Sequence, residues 1–253
     1  MKTFSLQSGS NGNAIYVEAD GRRLLFDAGI SGRQARLRMA EHGRDIRRVD
    51  ALFLSHDHRD HVRCAGIYQR LFGIPIYATE PTICAIGDQL GKLKDVRTFA
   101  AGETITLGDV LVHTRPTPHD AADGVTFVIE ATGRRLGIFT DLGHPFDGLP
   151  AQLASVDAAY LESNYDPRML AEGDYPPELK RRIRGAGGHI SNHEAAALLR
   201  HCGGRHRWIA LAHLSEHNNH PDVALQTHYA ILGDAAPPLL VASRYGVSGV
   251  LEV

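Results

Sequence analysis

The chain has 253 residues, of which 43% are hydrophobic and 22% are charged, and its formal net charge is −2. These values are typical of a globular protein with an ample core, and they provide no overall attraction to nucleic acid. The sequence has no apolar run near the roughly 18 residues of a membrane helix, no signal-peptide core, and only three scattered cysteines. We therefore expect a cytoplasmic protein without disulfides or membrane contacts, and its oligomeric state stays open.

Strand-like and helical patterns alternate along the chain. The strand-like runs cover residues 14–19, 23–27, 51–54, 74–78, 110–115, 125–130, 136–140, 158–162, 208–211 and 238–243. The helical patterns cover residues 32–42, 61–72, 81–90, 177–184, 192–202 and 221–232. This alternation predicts a layered α/β fold. Because we find no linker, repeat or break in composition, we expect a single domain over residues 1–253.

A dense group of metal-binding side chains follows the apolar run 51–54. His56, His58, Asp60 and His61 fall within six positions in the stretch ALFLSHDHRDHV. Three histidines and an aspartate at this spacing, where a strand ends, are hard to explain as packing and indicate a metal site. The spacing lets His56 and His58 bind one ion while Asp60 and His61 face a second, as in two-metal hydrolytic sites.

The His-x-His-x-Asp-His motif after a buried strand resembles the signature of the metallo-β-lactamase superfamily of hydrolases. The rest of the chain follows that pattern over about residues 4–245. An aspartate or a histidine stands at or just after the end of four other strand-like runs, one before the motif and three after it. These are Asp27, His119, Asp141 and His213. The resemblance implies the four-layer αβ/βα metallo-β-lactamase sandwich.

Carried over by position, the resemblance implies a role for each of these side chains. His56, His58 and His119 resemble the ligands of one metal. Asp60, His61 and His213 resemble those of the other. Asp141 resembles the ligand that bridges the two ions, and Asp27 resembles the carboxylate that steadies the histidine loop from behind.

Five further segments resemble the YycJ/WalJ-like (VicX-like) branch, whose members are stand-alone folds associated with nuclease activity. The segments are SGSNGNAIYVE, PHDAAD, ESNYD, GGHISNHEA and HLSEHNNHP. Their site is similar to that of ribonuclease J, whose inserted second domain they lack. The branch often carries an acidic residue where this chain has His217.

His189 and Glu162 are the remaining candidates. Ser191 and Glu194 form a capping-box pattern, so His189 lies on a glycine-flanked loop before a helix N-terminus, where an anion is favoured. The loop either binds phosphate and presents His189 for proton transfer or is a turn whose histidine packs. Glu162, at a strand end, is a candidate to steady a metal-binding histidine. Asp60 and His189 are the expected catalytic residues.

The leading expectation is a dinuclear-metal phosphodiesterase, specifically a 5′-to-3′ exonuclease on DNA with RNA as the other candidate, using a metal-bridging hydroxide as nucleophile. The two ions would be zinc or manganese, with iron still open.

A basic run at 180–184 either tracks nucleic-acid phosphates or is a solvated face. The alternatives are a small-molecule hydrolase (a cyclic phosphodiesterase, thioesterase or lactonase) and a regulatory protein with a structural metal.

Overall fold

In the computed structural model, which describes residues 1–203 and 205–253, the strands form two mixed sheets. The first sheet has the spatial order β14-β1-β2-β3-β4-β5-β6, and the segment from β3 to β6 is parallel. Its strands are β1 (Lys2–Gln7), β2 (Ala14–Ala19), β3 (Arg22–Phe26), β4 (Ala51–Phe53), β5 (Ile76–Thr79), β6 (Val96–Phe99) and β14 (Leu251–Glu252).

The second sheet has the spatial order β13-β12-β11-β10-β9-β8-β7. Its strands are β7 (Thr104–Leu107), β8 (Val110–Pro116), β9 (Val125–Ala131), β10 (Arg134–Phe139), β11 (Ala158–Glu162), β12 (Trp208–Ala212) and β13 (Leu239–Val241). Strands β10 to β13 are parallel, and β8 runs in the same direction because β9 is antiparallel to both β8 and β10.

Helices flank both sheets. They are α1 (Gly32–Glu41), α2 (Arg59–Val62), α3 (Ala65–Phe72), α4 (Glu80–Ile86), α5 (Leu149–Ala154), α6 (Pro167–Glu172), α7 (Pro177–Arg184), α8 (Asn192–His201) and α9 (Pro221–Leu232). The single helix predicted over 61–72 is wrong in detail, because the backbone amide of Cys64 bonds to Ala28 O at 3.0 Å and the chain forms two helices instead. None of the helices in the described ranges is long and apolar enough to cross a membrane.

Three apolar cores separate four layers. Alternation along β2 shows how one strand serves two of them: Ile15 and Val17 face the core between the sheets, whereas Ala14 and Tyr16 face the core beneath α1 and α3. The third core lies between the second sheet and helices α5, α8 and α9. Because strand side chains alternate between faces, apolar residues in succession along β2 require cover on both sides. This arrangement confirms the predicted αβ/βα sandwich.

Candidate metal centre

All the site residues that the sequence predicted come together at one edge of the sandwich. They follow the carboxyl ends of strands that run in the same direction within each sheet, which is where open α/β sheets bind their ligands. Asp27 follows β3, the histidine motif follows β4, His119 follows β8, Asp141 follows β10, Glu162 ends β11, and His213 follows β12. His189 lies on the loop before α8.

Three of these residues adopt a left-handed backbone conformation. The φ angles are 64° at Asp27, 58° at Asp141 and 54° at His213. Residues other than glycine rarely adopt positive φ, and such conformations concentrate at functional sites where the surroundings enforce them. At each of the three strand ends, the turn aims the side chain into the common site instead of continuing the strand.

The first group of candidate ligands, which we call the first cluster, consists of His56, His58 and His119. One ring nitrogen from each lies within 4.8 Å of the others, and His58 Nδ1 is 3.2 Å from His119 Nε2. Nε2 of His56 is buried and has no hydrogen-bond partner among the described residues. A buried ring nitrogen normally finds a partner, so an ion in this position would satisfy it.

The nearest atom to the opposite nitrogen of each ring in the first cluster is a neutral oxygen. The carboxylate of Asp120 lies farther away, 3.8 Å from His58 Nε2, and is paired with Arg182. Nδ1 of His56 lies 2.9 Å from the hydroxyl of Ser55. His58 Nε2 donates to the carbonyl of Asp120 at 3.1 Å, and His119 Nδ1 donates to the carbonyl of Gly188 at 2.8 Å. Because a carbonyl only accepts, these bonds fix the tautomer of each ring and leave the other nitrogen free to face the site.

The second cluster consists of Asp60, His61 and His213. Asp60 Oδ2 lies 3.4 Å from His61 Nε2 and 3.3 Å from His213 Nε2. The supports behind these rings carry negative charge. Asp27 Oδ2 accepts from His61 Nδ1 at 2.7 Å, and Glu162 Oε1 lies 3.6 Å from His213 Nδ1.

The backbone around Asp60 is held closely by the first sheet. Asn13 donates its amide to Asp60 O at 2.8 Å, and Ala28 donates its amide to His61 O at 2.6 Å. Gly29 packs so closely on the carbonyl of Asp60 that a Cβ atom at this position would collide with it. The absence of a side chain at Gly29 therefore sets the position of the motif.

Asp141 lies between the two clusters. Its Oδ2 is 3.3 Å from His61 Nε2, and its Oδ1 is 3.7 Å from His119 Nε2 and 3.6 Å from His213 Nε2. Oδ2 is buried and has no hydrogen-bond partner within the described part of the chain. A buried carboxylate without donors is costly, so this position suits an atom shared between two cations.

Electrostatics distinguish the histidines of the two clusters. In the first, burial together with the neighbouring His61 holds the pKa of His56 well below its usual value, and burial also lowers the pKa of His119. These rings are therefore neutral, which is the form that binds a metal.

In the second cluster, the carboxylates outweigh burial. Burial disfavours the charged ring of His61, but Asp141 and Asp27 raise its pKa well above the usual value. Burial opposes protonation of His213 as well, but Asp141 and Asp60 raise its pKa to about 10. The carboxylates around these two rings therefore favour positive charge. A bound metal ion would supply that charge in place of the protons on the rings.

Glu162 holds His189 beside both clusters. Its Oε1 accepts from His189 Nδ1 at 2.7 Å, and its Oε2 accepts from the backbone amides of Leu142 and Ile190 at 3.0 and 3.3 Å. Burial raises the pKa of Glu162, but the adjacent His189 ring outweighs that effect and holds it at about 2. Glu162 is therefore an ionised carboxylate that orients a ring lining the cavity.

The donors present suit two divalent ions. The clusters and Asp141 together supply five imidazoles and two carboxylates. Of these side chains, those of His58, Asp60, His119, Asp141 and His213 line a cavity of about 280 Å³. Two buried polar atoms, His56 Nε2 and Asp141 Oδ2, face this region without partners in the described residues. Mixed imidazole and carboxylate donors match the preferences of zinc, manganese and iron, so these clusters are able to bind metal.

Some supporting residues were not identified from the sequence. Ser55 donates its hydroxyl to Asp27 Oδ2 at 3.0 Å, and the amide of His213 donates to Ser8 Oγ at 2.9 Å. Arg182 lies in the basic run at 180–184 that the sequence pointed to, but its two bonds to Asp120, at 2.6 and 3.2 Å at the rim of the cavity, were not predicted. Serine is common in turns, so Ser8 and Ser55 carry no distinctive signal. The partners Arg182 and Asp120 are 62 positions apart, so no local sequence pattern reveals their ion pair.

His220 and His217 do not join the clusters. His220 caps α9, where its Nδ1 accepts from the amide of Asp222 at 3.3 Å. The ring of His217 makes an edge contact with Tyr175, with their centroids 5.7 Å apart.

Comparison with known proteins identifies the family. The profile of the β-lactamase superfamily domain matches residues 22–212. The exodeoxyribonuclease YycJ of Bacillus anthracis is 34% identical over 222 residues, covering 87% of this chain and 84% of the relative. The exodeoxyribonuclease WalJ of Streptococcus pneumoniae is 34% identical over 227 residues, covering 88% and 84%.

The fold is also that of solved metallo-β-lactamase structures. The crystal structure of YhfI from Bacillus subtilis aligns with a TM-score of 0.76 at 18% identity, and the alignment covers 99% of each chain. At this identity the likeness concerns the fold alone. Together with the profile and the two relatives, it shows that this chain belongs to the metallo-β-lactamase superfamily of hydrolases, within its YycJ/WalJ family.

Proposed function

We propose that the protein is a dinuclear-metal phosphodiesterase that degrades DNA from an end, in the 5′-to-3′ direction, with RNA as the alternative substrate. The observation that carries this proposal is the position of Asp141 between two complete ligand clusters, with His189 beside both. The names of the two relatives, both exodeoxyribonucleases, support the choice of substrate.

In this proposal His56, His58 and His119 hold one ion, Asp60, His61 and His213 hold the other, and Asp141 contacts both. Two divalent ions bound there would lower the pKa of a water molecule and neutralise charge on a scissile phosphate. Asp27 would keep His61 oriented through Nδ1, and Ser55 would link Asp27 to His56.

The protein's own acid would be His189. Glu162 Oε1 accepts a hydrogen bond from Nδ1, which orients the ring and leaves Nε2 as the atom for proton transfer. His189 lines the cavity that the clusters share, so it is placed to protonate a departing alkoxide or to bond a non-bridging phosphate oxygen. Asp60 would contribute by fixing His213 and the second ion.

The charge around the cavity favours a polyanionic substrate. Helix α7 carries Lys180, Arg181, Arg182 and Arg184 and lies beside the site through the contact of Arg182 with Asp120. The net charge of the chain is −2, so this local cluster of cations is the feature that would attract a phosphate backbone.

A nuclease assay tests the proposal. Single- and double-stranded DNA and RNA, labelled at the 5′ end, are incubated with the zinc- and manganese-loaded protein. We expect labelled mononucleotides to be released from DNA from the earliest times. Intact nucleic acid together with rapid turnover of a thioester, lactone or cyclic phosphate would favour the small-molecule alternative instead.

A further inference from the structure

A second cavity adjoins the one over the clusters. It has a volume of about 220 Å³, and we call it the side pocket. Ser10, Arg182 and His189 line both cavities. A bound molecule could therefore extend from the clusters into the side pocket without leaving the protein surface.

Apolar side chains of α7 face the side pocket. Leu179 and Ile183, one helical turn apart, both line it, and Tyr175 lines it just before the helix begins. All of α7 lies in the described part of the chain, and none of its residues is buried. Leu179 and Ile183 are only partly buried. An amphipathic helix normally covers its apolar stripe against a core, so the part of this stripe left uncovered beside a reaction centre indicates a surface that a ligand covers.

Arg182 lies at the junction of the two cavities. Asp120 holds its guanidinium through two hydrogen bonds, at 2.6 and 3.2 Å. A guanidinium held in place in this way is suited to bind the oxygens of a phosphate. Arg182 lines both cavities, so it could bind a phosphate that lies between the clusters and the side pocket.

We propose that the side pocket binds the base of the strand's terminal nucleotide while the adjoining phosphodiester lies over the two clusters. The inference rests on the proposed nuclease function and specifies how that site selects a strand end. The pocket combines the apolar side chains before and on α7 with polar ones such as Asn164 and Ser215. The ligand it predicts has an apolar face and polar edges and is joined to an anion, which describes a nucleotide. Tyr175, Leu179 and Ile183 would contact the base, and Arg182 would contact its phosphate.

The size of the pocket limits its occupant. Pockets for drug-sized ligands measure roughly 300–1,000 Å³, so about 220 Å³ leaves room for one base and not for a stacked pair. The ring of Tyr175 is held in turn by an edge-to-face contact with His217. A pocket for one base explains how the protein would release single nucleotides.

A binding experiment tests the pocket directly. The zinc-loaded protein is titrated calorimetrically with dAMP and with 2-deoxyribose 5-phosphate, which has the same sugar and phosphate but no base. Stacking on protein side chains favours a base by roughly tenfold or more in affinity, so dAMP should bind at least that much more tightly. Leu179→Asp should reduce dAMP binding to the level of the sugar phosphate.

A matched variant controls for the new charge. Leu71 is 66% exposed on α3, so Leu71→Asp adds the same charge at a helix surface outside the side pocket and should keep the preference for dAMP. Circular dichroism shows whether each variant is folded. Equal affinity for dAMP and the sugar phosphate in the wild type, or equal loss of both in Leu179→Asp, would overturn the inference.

An activity experiment separates the inference from the function it rests on. Oligonucleotides carrying an abasic residue at the 5′ end, at the 3′ end or at neither are compared. The wild type should release the first residue roughly tenfold more slowly from one abasic end, and Leu179→Asp should lose that difference. Degradation at equal rates from all three substrates overturns the side pocket alone. If none is degraded, the nuclease function fails, and the dAMP titration still decides whether the pocket takes a base.

Discussion

The two clusters lie side by side but differ in how they are charged. The first consists of three imidazoles whose outer nitrogens meet a hydroxyl and two backbone carbonyls. The second contains a carboxylate ligand, and its histidines are backed by Asp27 and Glu162. Because opposite charge attracts a cation more strongly in a buried site, we expect the second cluster to bind its ion more tightly than the first.

The comparison shows that the residues behind the ligands set the character of each cluster. His56 and His61 are both buried histidines of one motif, yet burial lowers the pKa of His56 whereas carboxylates raise that of His61. Asp27, which follows β3, makes the difference together with Asp141, because Asp27 accepts from His61 Nδ1 and Asp141 Oδ2 lies 3.3 Å from His61 Nε2. Asp141 also raises the pKa of His56, but burial outweighs it there.

Asp141→Ala should have the largest effect, because it removes the one carboxylate that both clusters face. We expect hydrolysis to fall by at least about 10⁴-fold and bound metal, measured by mass spectrometry, to decrease at both clusters. Asp95→Ala, at an exposed ion pair with Arg97, is the control. Full metal content with near-normal turnover in Asp141→Ala would contradict the assignment of a shared ligand.

His189→Ala should leave the metal content of both clusters unchanged and lower turnover of nucleic acid by roughly 10²–10⁴-fold, the contribution of a positioned acid. Turnover of a nitrophenyl phosphodiester should fall much less, because its leaving group departs without a proton. The ratio of the two rates is the measurement. Equal losses on both substrates would make His189 a phosphate-binding residue and not an acid.

Asp27→Asn should sharpen the difference between the clusters. The amide cannot match the charge of Asp27 behind His61, and loss of such a partner weakens metal binding by roughly 10–100-fold. Competition with a chelator at fixed free zinc should therefore show one site weakened and the other less affected. Asp45→Asn, which changes an exposed helix cap, should leave both sites as they were. A uniform loss at both sites would show that the clusters do not differ as proposed.

The sequence predicted the ligands better than their supports. His56, His58, Asp60 and His61 are adjacent in the chain, so their spacing alone indicated a metal site. The supports act over long separations: the backbone amide of Asn13 donates to Asp60 O at 2.8 Å across 47 positions. A single polar residue in a turn gives no sign of such a partner, and only folding brings the two together.

The fold follows the same rule. The apolar run of β2 was predicted with its observed bounds, Ala14–Ala19, because every residue but Glu18 is buried. Strand β1 (Lys2–Gln7) was not predicted, because Thr3 and Ser5 are polar although the structure buries them. Thr3 donates its hydroxyl to Tyr16 O at 2.7 Å, so a cross-strand bond satisfies a polar side chain that lay outside every predicted strand.

His228 shows what burial does to a histidine without a carboxylate, and so it provides a reference for the first cluster. Its ring is fully buried in α9, its Nδ1 donates to Ala224 O at 2.8 Å, and its Nε2 has no partner in the described ranges. Burial lowers the pKa of His228 to about 4. The folded protein therefore keeps this ring neutral at a pH where the unfolded chain protonates it.

The sign of the effect follows from proton linkage. An unfolded histidine titrates near pH 6.5, so between roughly pH 6.5 and 4 the unfolded state binds the extra proton, and stability falls as the pH falls through that window. For His228 the loss between pH 7.5 and pH 5 should be about 2 kcal/mol. Urea unfolding of the wild type and of His228→Leu at both pH values isolates it, because acid effects at the two clusters are common to both proteins. On acidification, the free energy of unfolding of the variant should fall by about 2 kcal/mol less than that of the wild type. An equal loss in both proteins would mean that burial alone does not keep a histidine neutral in this fold. The contrast between the clusters would then need another cause.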